Sequence, residues 1–401
     1  MRPSEIRALL AFRRPRWSPT ERRLDRCFTV EDLRRVARRR LPRAVFDYVD
    51  GGTEDEVTMR RNRAAFEELE LEPRVLRDVS EVDPSVELFG RRIPLPVVLA
   101  PTGMTRLTHW EGELAVARAA SQVGLPYVLS TMATVSIERV AAASRAPLWF
   151  QLYMWRDRGL CRELVARARE AGYEALVLTV DTPVAGARER DFRNGFTIPP
   201  SIGLRTLLDG ARRPSWWWRF LTSEAIGFDN VRGRAEGSAS LAFVATQFDA
   251  SVTWDDVAWL AGEWGGPFVL KGVMTPADAK QAAALGVGAI VVSNHGGRQL
   301  DHVPATIDAL PRIADAVGDG TTVLFDSGVR RGVDVAKALA SGARAVLVGR
   351  AYLYGLGAGG EAGVVKAVRI LDGELRRAMS LMGARRVADI VPGHVRRRGE
   401  W

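Results

Sequence analysis

The chain contains little cysteine and little histidine. Its 401 residues include two cysteines, Cys27 and Cys161, which lie far apart and form no CxxC pair. This spacing argues against a disulfide framework and against a zinc site, and it suits a reducing compartment. We therefore expect no bound metal. Because the chain has four histidines, the position of each one is informative.

Long uncharged apolar runs are also missing. No stretch of about 18 residues is predominantly apolar and free of charge, so we expect no membrane-spanning helix. Arginine interrupts the apolar run at 8–12 almost at once, and we expect no signal peptide. These absences favour a cytoplasmic protein, with peripheral attachment to the inner face of the cell membrane as an open alternative.

Arginine supplies an excess of positive charge. The formal net charge is +9, and dense arginine clusters occur at 34–40 and 396–398. Such charge attracts nucleic acid or anionic lipid. However, the chain has no basic motif interleaved with aromatic residues, which nucleic-acid-binding modules use. We therefore expect solvated arginine-rich helix faces and no nucleic-acid partner.

Short apolar runs recur after residue 95. They are continuous rather than alternating, which is typical of strands buried on both faces of a parallel sheet. Amphipathic stretches between them end at glycine, as many helices do. Eight runs alternating with helices predict a (β/α)8 TIM barrel, whereas a doubly wound open sheet has no need of eight strands. The runs are 96–101, 126–130, 148–153, 175–181, 267–272, 289–294, 322–326 and 345–349.

Three segments lie outside this pattern. We expect residues 1–94 to form a helical extension that caps the barrel of residues 95–395, and residues 396–401 to form a basic tail. Residues 182–266 form an insertion after strand four, typical of a lid or a binding loop. Within it, PSWWWRFL at 214–221 places three tryptophans beside arginine. That segment favours contact with a membrane surface or a partner, or packing against the barrel.

Polar residues and glycines follow each apolar run. In this kind of barrel the carboxyl ends of the strands form the active site, so residues distant in sequence meet there. A polar residue at one strand end has little meaning, but such residues at all eight ends predict a functional site. They are Thr102, Gly103, Ser130, Gln151, Tyr153, Thr179, Asp181, Lys271, Ser293, His295, Asp326, Gly328, Arg330, Gly349 and Arg350.

The chemistry of these strand ends indicates acid–base catalysis beside a phosphorylated cofactor. Glycine N–H groups and arginines at the last two ends are suited to a phosphate. His295 can act as a base that Asp181 orients. Arg298 and Arg188 can bind a small carboxylate with paired hydrogen bonds. The glycine-rich stretch at 355–360 follows no suitable strand, so we do not interpret it as a dinucleotide motif.

Several of these segments together resemble the FMN-dependent L-2-hydroxy acid dehydrogenase/oxidase family. The similarity runs from about residue 28 to 395, in order and on the predicted strands, and is strongest to its bacterial respiratory L-lactate dehydrogenases. The segments are LPRAVFDYVDGG (41–52), APTG (100–103), FQLY (150–153), TVDTPVAGARERD (179–191), LKGV (270–273), SNHGGRQLD (293–301), DSGVRRG (326–332) and GRAYLYG (349–355).

The resemblance implies a role for each candidate residue. His295 would be the catalytic base with Asp181 as its partner, and Lys271 would stabilise the anionic reduced flavin. The substrate carboxylate would be held by Arg298, Arg188, Tyr48 and Tyr153. The flavin would contact Thr102, Gly103, Ser130, Gln151, Thr179 and Ser293. The ribityl chain would bind Asp326, and the phosphate would bind Gly328, Arg330, Gly349 and Arg350.

The implied activity is FMN-dependent oxidation of an L-2-hydroxy acid, foremost L-lactate to pyruvate, with electrons passed to a quinone or another carrier. Gly103 stands where oxidases of the family tend to have alanine, so oxygen is expected to be a poor acceptor. Met132 lacks the tryptophan ring of plant glycolate oxidase, although core packing also explains this methionine. An oxidase that makes hydrogen peroxide and a dehydrogenase of a larger acid such as mandelate are the alternatives. The resemblance also implies a homo-oligomer, expected to be a tetramer.

Overall fold

The computed structural model describes residues 17–195, 209–231 and 247–399. The N-terminal part of the described chain begins with helices. The second helix starts at a capping box, in which Asp32 N donates to Thr29 Oγ1 (3.1 Å) and Thr29 N donates to the Asp32 carboxylate (3.0 Å). These helices are α1 (Pro19–Leu24), α2 (Val30–Arg40), α3 (Arg43–Asp50) and α4 (Val57–Glu67).

Short strands follow the helices of the N-terminal segment. Strand β1 (Leu69–Leu71) precedes an antiparallel hairpin formed by β2 (Val86–Leu88) and β3 (Arg91–Ile93). The apolar side chains of the hairpin pack into the lower end of the barrel, where the ring of Phe89 lies 5.4 Å from that of Trp149. The hairpin therefore closes the amino-terminal end of the barrel, opposite the carboxyl ends of the strands.

Eight parallel strands form a closed barrel, which confirms the predicted (β/α)8 fold. The strands follow one another in chain order around the ring, and the last one pairs in parallel with the first at Leu347 and Val98. The barrel interior is filled by small and branched side chains, as this architecture requires. The strands are β4 (Val97–Leu99), β5 (Tyr127–Ser130), β6 (Leu148–Tyr153), β7 (Ala175–Thr179), β8 (Phe268–Val273), β9 (Ala289–Val292), β10 (Thr322–Phe325) and β11 (Ala345–Val348).

Helices pack around the barrel and bury the outer faces of the strands. Four of them are followed by Gly124, Gly172, Gly286 and Gly342, each with a positive φ, as the sequence predicts. The helices are α5 (Gly112–Val123), α6 (Ile137–Ala143), α7 (Arg158–Glu170), α8 (Glu189–Arg193), α9 (Pro214–Thr222), α10 (Trp254–Trp264), α11 (Pro276–Ala284), α12 (Thr306–Val317), α13 (Gly332–Ala340) and α14 (Arg350–Met382). Short 3-10 turns cover Thr105–Leu107, Gly318–Gly320, Val387–Asp389 and Pro392–His394.

Helix α10 corrects the extent of the predicted insertion. The predicted insertion covers all of residues 182–266, but α10 lies directly before β8 and packs against the barrel helix α7. Arg158 Nη2 lies 2.9 Å from Asp256 Oδ1 across this helix pair. The helix starts at a capping box formed by Thr253 and Asp256. The insertion therefore ends before α10 and is shorter than predicted.

The last strand and the longest helix tie the N-terminal segment to the barrel. Strand β12 (Val395–Arg397) pairs antiparallel with β1, so the beginning of the predicted basic tail is part of a two-stranded sheet. Helix α2 packs on α14, where a Cβ at Gly357 would lie 3.2 Å from that of Ala37. Among the described helices, none is both long enough and apolar enough to cross a membrane.

Candidate active site

The candidate site lies at the carboxyl ends of the barrel strands. His295 follows β9 and has a φ of 57°, in the left-handed region that residues other than glycine rarely adopt. Its backbone N–H donates to Ser293 Oγ (3.1 Å). Such local strain is typical of residues held in place for a function. The backbone thus turns the imidazole of His295 toward the end of β7.

His295 and Asp181 form a hydrogen-bonded pair, as the sequence predicts. The Nδ1 atom of His295 lies 3.0 Å from Oδ1 of Asp181. Burial alone would raise the pKa of Asp181, but the neighbouring imidazole and the Lys271 ammonium lower it. The ionised carboxylate can only accept a hydrogen bond, so Nδ1 carries the proton and Nε2 keeps its lone pair. Burial lowers the pKa of His295, against the opposing charge of Asp181.

Lys271 is a buried ammonium group near the carboxyl end of β8. Its Nζ donates to Ser293 Oγ (3.0 Å) and lies 3.3 Å from Asp326 Oδ2. Burial disfavours the ammonium, but the charges of Asp326 and Asp181 outweigh burial and raise the pKa of Lys271. The ends of β7, β8, β9 and β10 therefore share one network, which joins Asp181, His295, Ser293, Lys271 and Asp326.

Two guanidinium groups lie close to the Tyr48 ring. The Cζ atom of Arg298 lies 5.1 Å from the ring centroid, and that of Arg188 lies 5.3 Å from it. Arg188 also forms an ion pair with Asp191 at 3.1 Å. Burial and the charge of Arg188 lower the pKa of Arg298. Two neighbouring guanidiniums repel each other, so this arrangement favours a bound anion.

Gly296 and Gly297 follow His295, and because they lack side chains other parts of the chain lie close to their backbone. A Cβ at Gly296 would lie 2.6 Å from Arg350 Nη1, and a Cβ at Gly297 would lie 2.6 Å from Met59 N. The structure identifies helix α4 and the side chain of Arg350 as neighbours that fill this space.

The side chain of Arg350 donates hydrogen bonds to backbone carbonyl groups. It donates to Gly296 O (2.8 Å), Val49 O (3.1 Å) and Gly51 O (2.7 Å). Burial lowers the pKa of Arg350 to about 10. Arg298 donates to Tyr48 O (2.7 Å) and also to Gly51 O (3.0 Å). The two arginines therefore satisfy the carbonyls at the end of α3, the helix that carries Tyr48.

The predicted phosphate-binding residues lie at the ends of β10 and β11. Gly349 precedes the first turn of α14, so the free N–H groups and positive end of that helix face this edge. The Arg330 guanidinium lies over the ring of Tyr354, with 5.6 Å between Cζ and the ring centroid. Gly328 has a φ of 86°, and a Cβ there would lie 2.2 Å from Asn62 O. The donors available for a phosphate are thus main-chain N–H groups and Arg330, while the Arg350 side chain is engaged elsewhere.

The donor set fits a flavin at the strand ends. Within the part of the chain that the structure describes, the buried Nε2 of Gln151 has no hydrogen-bond partner. Its Oε1 accepts from Ser130 Oγ (3.0 Å), so the amide is oriented. A buried donor without an acceptor is costly, and a carbonyl oxygen of an isoalloxazine ring would satisfy it. Thr179 is buried opposite Tyr153 in the neighbouring strand, and Thr102 Oγ1 lies 2.6 Å from the hydroxyl of Tyr352.

Apolar and aromatic residues surround the space next to His295 and the arginines. A Cβ at Gly103 would lie 2.9 Å from the Cβ of Met132 and 3.7 Å from the Tyr48 hydroxyl. The rings of Tyr153 and Phe248 meet edge to face, with 5.3 Å between centroids. Burial raises the pKa of Tyr153, so its hydroxyl stays protonated and can donate. A small acid would therefore meet two tyrosines, a methionine and a phenylalanine.

Two residues of the SNHGGRQLD segment have roles that the sequence analysis did not assign. Gln299 Nε2 donates to Asp181 O (3.1 Å) and Val184 O (2.9 Å), which fixes the loop that carries Asp181. The Asp301 carboxylate accepts from Val57 N (3.1 Å) and Thr58 N (2.7 Å) at the start of α4. An acidic residue can cap a helix from a distant part of the chain, which no local pattern reveals.

The chain matches known proteins over nearly its whole length. A family model described as FMN-dependent dehydrogenase matches residues 37–397. An L-lactate dehydrogenase of Caulobacter vibrioides is 50% identical over 367 residues, which are 90% of this chain and 96% of that protein. An L-lactate dehydrogenase of Pectobacterium atrosepticum is 45% identical over 364 residues, which are 90% of this chain and 94% of that protein.

Solved structures share the fold. A crystal structure of the monotopic membrane protein (S)-mandelate dehydrogenase is 38% identical, with a TM-score of 0.89, and the match covers 93% of this chain and all of that one. A crystal structure of mandelate oxidase is 40% identical, with a TM-score of 0.79, and the match covers 93% of this chain and 98% of that one. These matches are independent of the site geometry described above.

Proposed function

The chain belongs to the family of FMN-dependent dehydrogenases, and on that premise we propose that it oxidises L-lactate to pyruvate. The observation that carries the proposal is the His295–Asp181 pair, 3.0 Å apart, beside two arginines that suit a carboxylate. The L-lactate dehydrogenases that are 44–50% identical to this chain support the choice of substrate. When bound, FMN supplies the acceptor for the two electrons of the substrate.

His295 is the proposed base. Because Nδ1 donates to the Asp181 carboxylate, Nε2 is the atom that takes the proton from the substrate. The negative charge of Asp181 then stabilises the imidazolium and holds the ring in position. The same base serves whether the hydrogen on the substrate carbon leaves as a hydride or as a proton.

Arg298 and Arg188 are the proposed carboxylate clamp. Two of the Arg298 hydrogen bonds hold its Nη1 on Tyr48 O and Gly51 O, which fixes the direction of the remaining N–H groups. A planar guanidinium in a fixed orientation binds a carboxylate with two parallel hydrogen bonds. The hydroxyls of Tyr48 and Tyr153 are the further proposed contacts of the substrate.

The flavin is held, in our proposal, by residues from all eight strand ends. Gln151 supplies the buried amide donor that lacks a partner among the described residues, and Lys271 supplies a fixed positive charge. Asp326 is the proposed ribityl contact. The phosphate is assigned to Gly328, Arg330 and the N–H groups of Gly349 and Arg350. The ring contacts are assigned to Thr102, Gly103, Ser130, Thr179 and Ser293.

The proposed electron acceptor is a quinone or another carrier rather than oxygen. Gly103 supports this, because dehydrogenases of the family tend to have glycine where oxidases have alanine. Rapid mixing of the reduced enzyme with oxygen and, separately, with a soluble quinone analogue tests the assignment. We expect the quinone to reoxidise the flavin faster. Faster reoxidation by oxygen, with hydrogen peroxide as product, would identify an oxidase instead.

A panel of L-2-hydroxy acids tests the substrate. Under anaerobic conditions, bleaching of the flavin absorbance is followed with L-lactate, glycolate and (S)-mandelate, and with D-lactate as the control. We expect the ratio of the rate constant for flavin reduction to the dissociation constant of the substrate to be largest for L-lactate. D-lactate should not bleach the flavin. The mandelate dehydrogenase and mandelate oxidase structures support the second candidate, a larger aromatic acid. A preference for (S)-mandelate would replace L-lactate with that substrate.

We also propose a peripheral contact with the inner face of the cell membrane in a cytoplasmic homotetramer. Trp218 and Leu221 of α9 support the contact, because they are 69% and 70% exposed. The monotopic membrane protein with the same fold supports it as well. Sedimentation with anionic vesicles tests the contact, and a Trp218→Ser, Leu221→Ser variant should remain in the supernatant. Light scattering during gel filtration tests the tetramer.

A further inference from the structure

A cavity of about 280 Å³ lies next to α9, and none of the candidate active-site residues lines it. It is bounded by the end of α2, the loop after β4 and the inner face of α9. We call it the arginine cavity. Its walls include three arginines and three aromatic residues, namely Arg40, Arg106, Arg219, Trp110, Trp216 and Phe220.

Arg106 is a buried cation without a carboxylate partner. It is 6% exposed, and its guanidinium donates to Trp110 O (3.3 Å) and Glu224 O (2.5 Å). No carboxylate contacts it within residues 17–195, 209–231 and 247–399. A buried charge without a counterion is costly, and carbonyl dipoles offset that cost only in part. Its position therefore favours an anion in the cavity.

The other two arginines add uncompensated charge. Arg40 Nε donates to Gly357 O (3.3 Å), which leaves both Nη atoms without a hydrogen bond to the described chain. Arg219 lies over the Trp110 ring, with 5.1 Å between Cζ and the ring centroid. Neither forms an ion pair with any carboxylate that the structure describes. The three guanidiniums thus present several free N–H donors to one small volume.

The carboxylates near the cavity pair with arginines outside it, and one of them, Glu111, also lies 3.9 Å (Oε2) from Nδ1 of His109. Arg118 binds both Glu111 and Glu361, the latter at 2.6 Å, and Arg139 lies 3.0 Å from Glu224. His109 lies at the cavity wall. Burial, together with the charges of Arg40, Arg219 and Arg118, lowers its pKa to about 4. The imidazole is therefore neutral at pH 7, and the surroundings of the cavity are electrically positive.

The chemistry of the walls identifies the ligand. Guanidinium groups match phosphate oxygens with paired, charge-assisted hydrogen bonds. The rings of Trp216 and Phe220 are stacked 4.9 Å apart and offer an apolar surface beside the arginines. From this geometry we propose that the arginine cavity binds the phosphate group of an organic phosphate, with its organic part against the stacked rings. The ligand is a soluble phosphate ester or the headgroup of a phospholipid.

Calorimetry on the FMN-loaded enzyme tests the proposal. The flavin then fills its own phosphate site, and excess pyruvate fills the carboxylate site. Heat released on adding a phosphate compound therefore reports binding at a further site. We expect glycerol phosphate to bind at one further site per chain. Arg40→Gln should weaken this binding about tenfold or more, because it removes a charge-assisted hydrogen bond. Arg212→Gln, which removes the same charge from an exposed residue outside the cavity, should leave it unchanged.

Further titrations distinguish a soluble phosphate ester from a lipid headgroup, and thermal melts test whether the variants are folded. Binding of glycerol phosphate identifies a soluble ester, whereas binding of short-chain phosphatidylglycerol alone identifies a lipid headgroup. Bound phosphate should also raise the pKa of His109, measured by NMR on histidine-labelled protein, in wild type but not in Arg40→Gln. Thermal melts show whether Arg40→Gln is folded, and Arg219→Gln, on the exposed side of the cavity, serves as the second variant. Absence of binding by both phosphates, equal binding of acetate, or unchanged binding in both folded variants would overturn the proposal.

Discussion

The Nδ1 atom of His295 lies 3.0 Å from Oδ1 of Asp181, although 114 positions separate the two residues in the chain. The pair joins the loop after β9 to the loop after β7 and leaves Nε2 of the imidazole available as a base. Because the carboxylate is ionised and buried, it sets both the tautomer and the basicity of the histidine.

Replacement of Asp181 by asparagine should slow flavin reduction by about a hundredfold or more, because the neutral amide no longer stabilises the protonated imidazole of His295. The asparagine has no negative charge, so the pKa of His295 should fall further below its usual range. The acid limb of the rate profile should therefore move to lower pH. Anaerobic stopped-flow reduction across pH 5 to 8 measures both effects. A wild-type rate and profile would show that Asp181 does not act on His295.

The wild-type enzyme should lose activity as the solution becomes acidic. Burial places the pKa of His295 below 6.5, so the imidazole is neutral at pH 7 and becomes protonated only as the pH falls through that lowered pKa. A protonated imidazole cannot accept the proton of the substrate. The rate constant for flavin reduction should therefore be flat around pH 7 and fall only in more acidic solution. A fall that begins above pH 7 would contradict the assigned base.

Lys271 should tune the flavin rather than bind the substrate. Its pKa is raised by Asp326 and Asp181 despite burial, so the ammonium stays charged throughout the working pH range. Lys271→Met removes this charge and should lower the midpoint potential of the bound flavin, by about 30 mV for each 1.4 kcal/mol of lost stabilisation. Lys280→Met, an exposed change on α11, should leave the potential unchanged. An unaltered potential in Lys271→Met would place the ammonium away from the flavin.

Arg350 and Arg330 should behave differently when replaced by glutamine. The Arg350 side chain makes three hydrogen bonds to carbonyls, so Arg350→Gln should lower the free energy of unfolding by several kcal/mol. Arg330→Gln should instead weaken FMN binding, with a smaller effect on stability. Urea unfolding and FMN titration of the apoprotein measure the two quantities. A large loss of FMN affinity in Arg350→Gln, without loss of stability, would contradict the geometry.

Asp301 should contribute to stability through the start of α4. Burial opposes ionisation, but the hydrogen bonds from Thr58 N and Val57 N outweigh it and lower its pKa from 3.8 to about 2. The contribution is therefore complete above pH 4 and is lost as the pH falls through about 2. Asp301→Ala should lower the free energy of unfolding by about 1 kcal/mol at pH 7. The difference from wild type should shrink as the pH is lowered, which urea melts at several pH values measure.

The sequence predicts the barrel because its strands are continuous runs of branched residues, which a parallel sheet buries on both faces. It also predicts that His295, Asp181 and Lys271 meet, since each lies at or just after the carboxyl end of such a run. It does not predict what fills the space around Gly296 and Gly297, because that depends on the packing of a distant arginine and helix. The sequence does not separate helix α10 from the predicted insertion, because only the apolar runs mark the units of the barrel. The apolar runs show which residues lie at the strand ends. The neighbours that pack against those residues come from distant parts of the chain, and no local pattern reveals them.

Single-turnover reduction of the bound flavin tests the central claim most directly. The purified protein, mixed anaerobically with L-lactate, should bleach its flavin absorbance, and His295→Gln should bind FMN as wild type does. The variant should be reduced at least about a hundredfold more slowly, because Nε2 no longer takes the proton. Reduction of His295→Gln at the wild-type rate, or a wild-type protein that binds no FMN, would contradict the account.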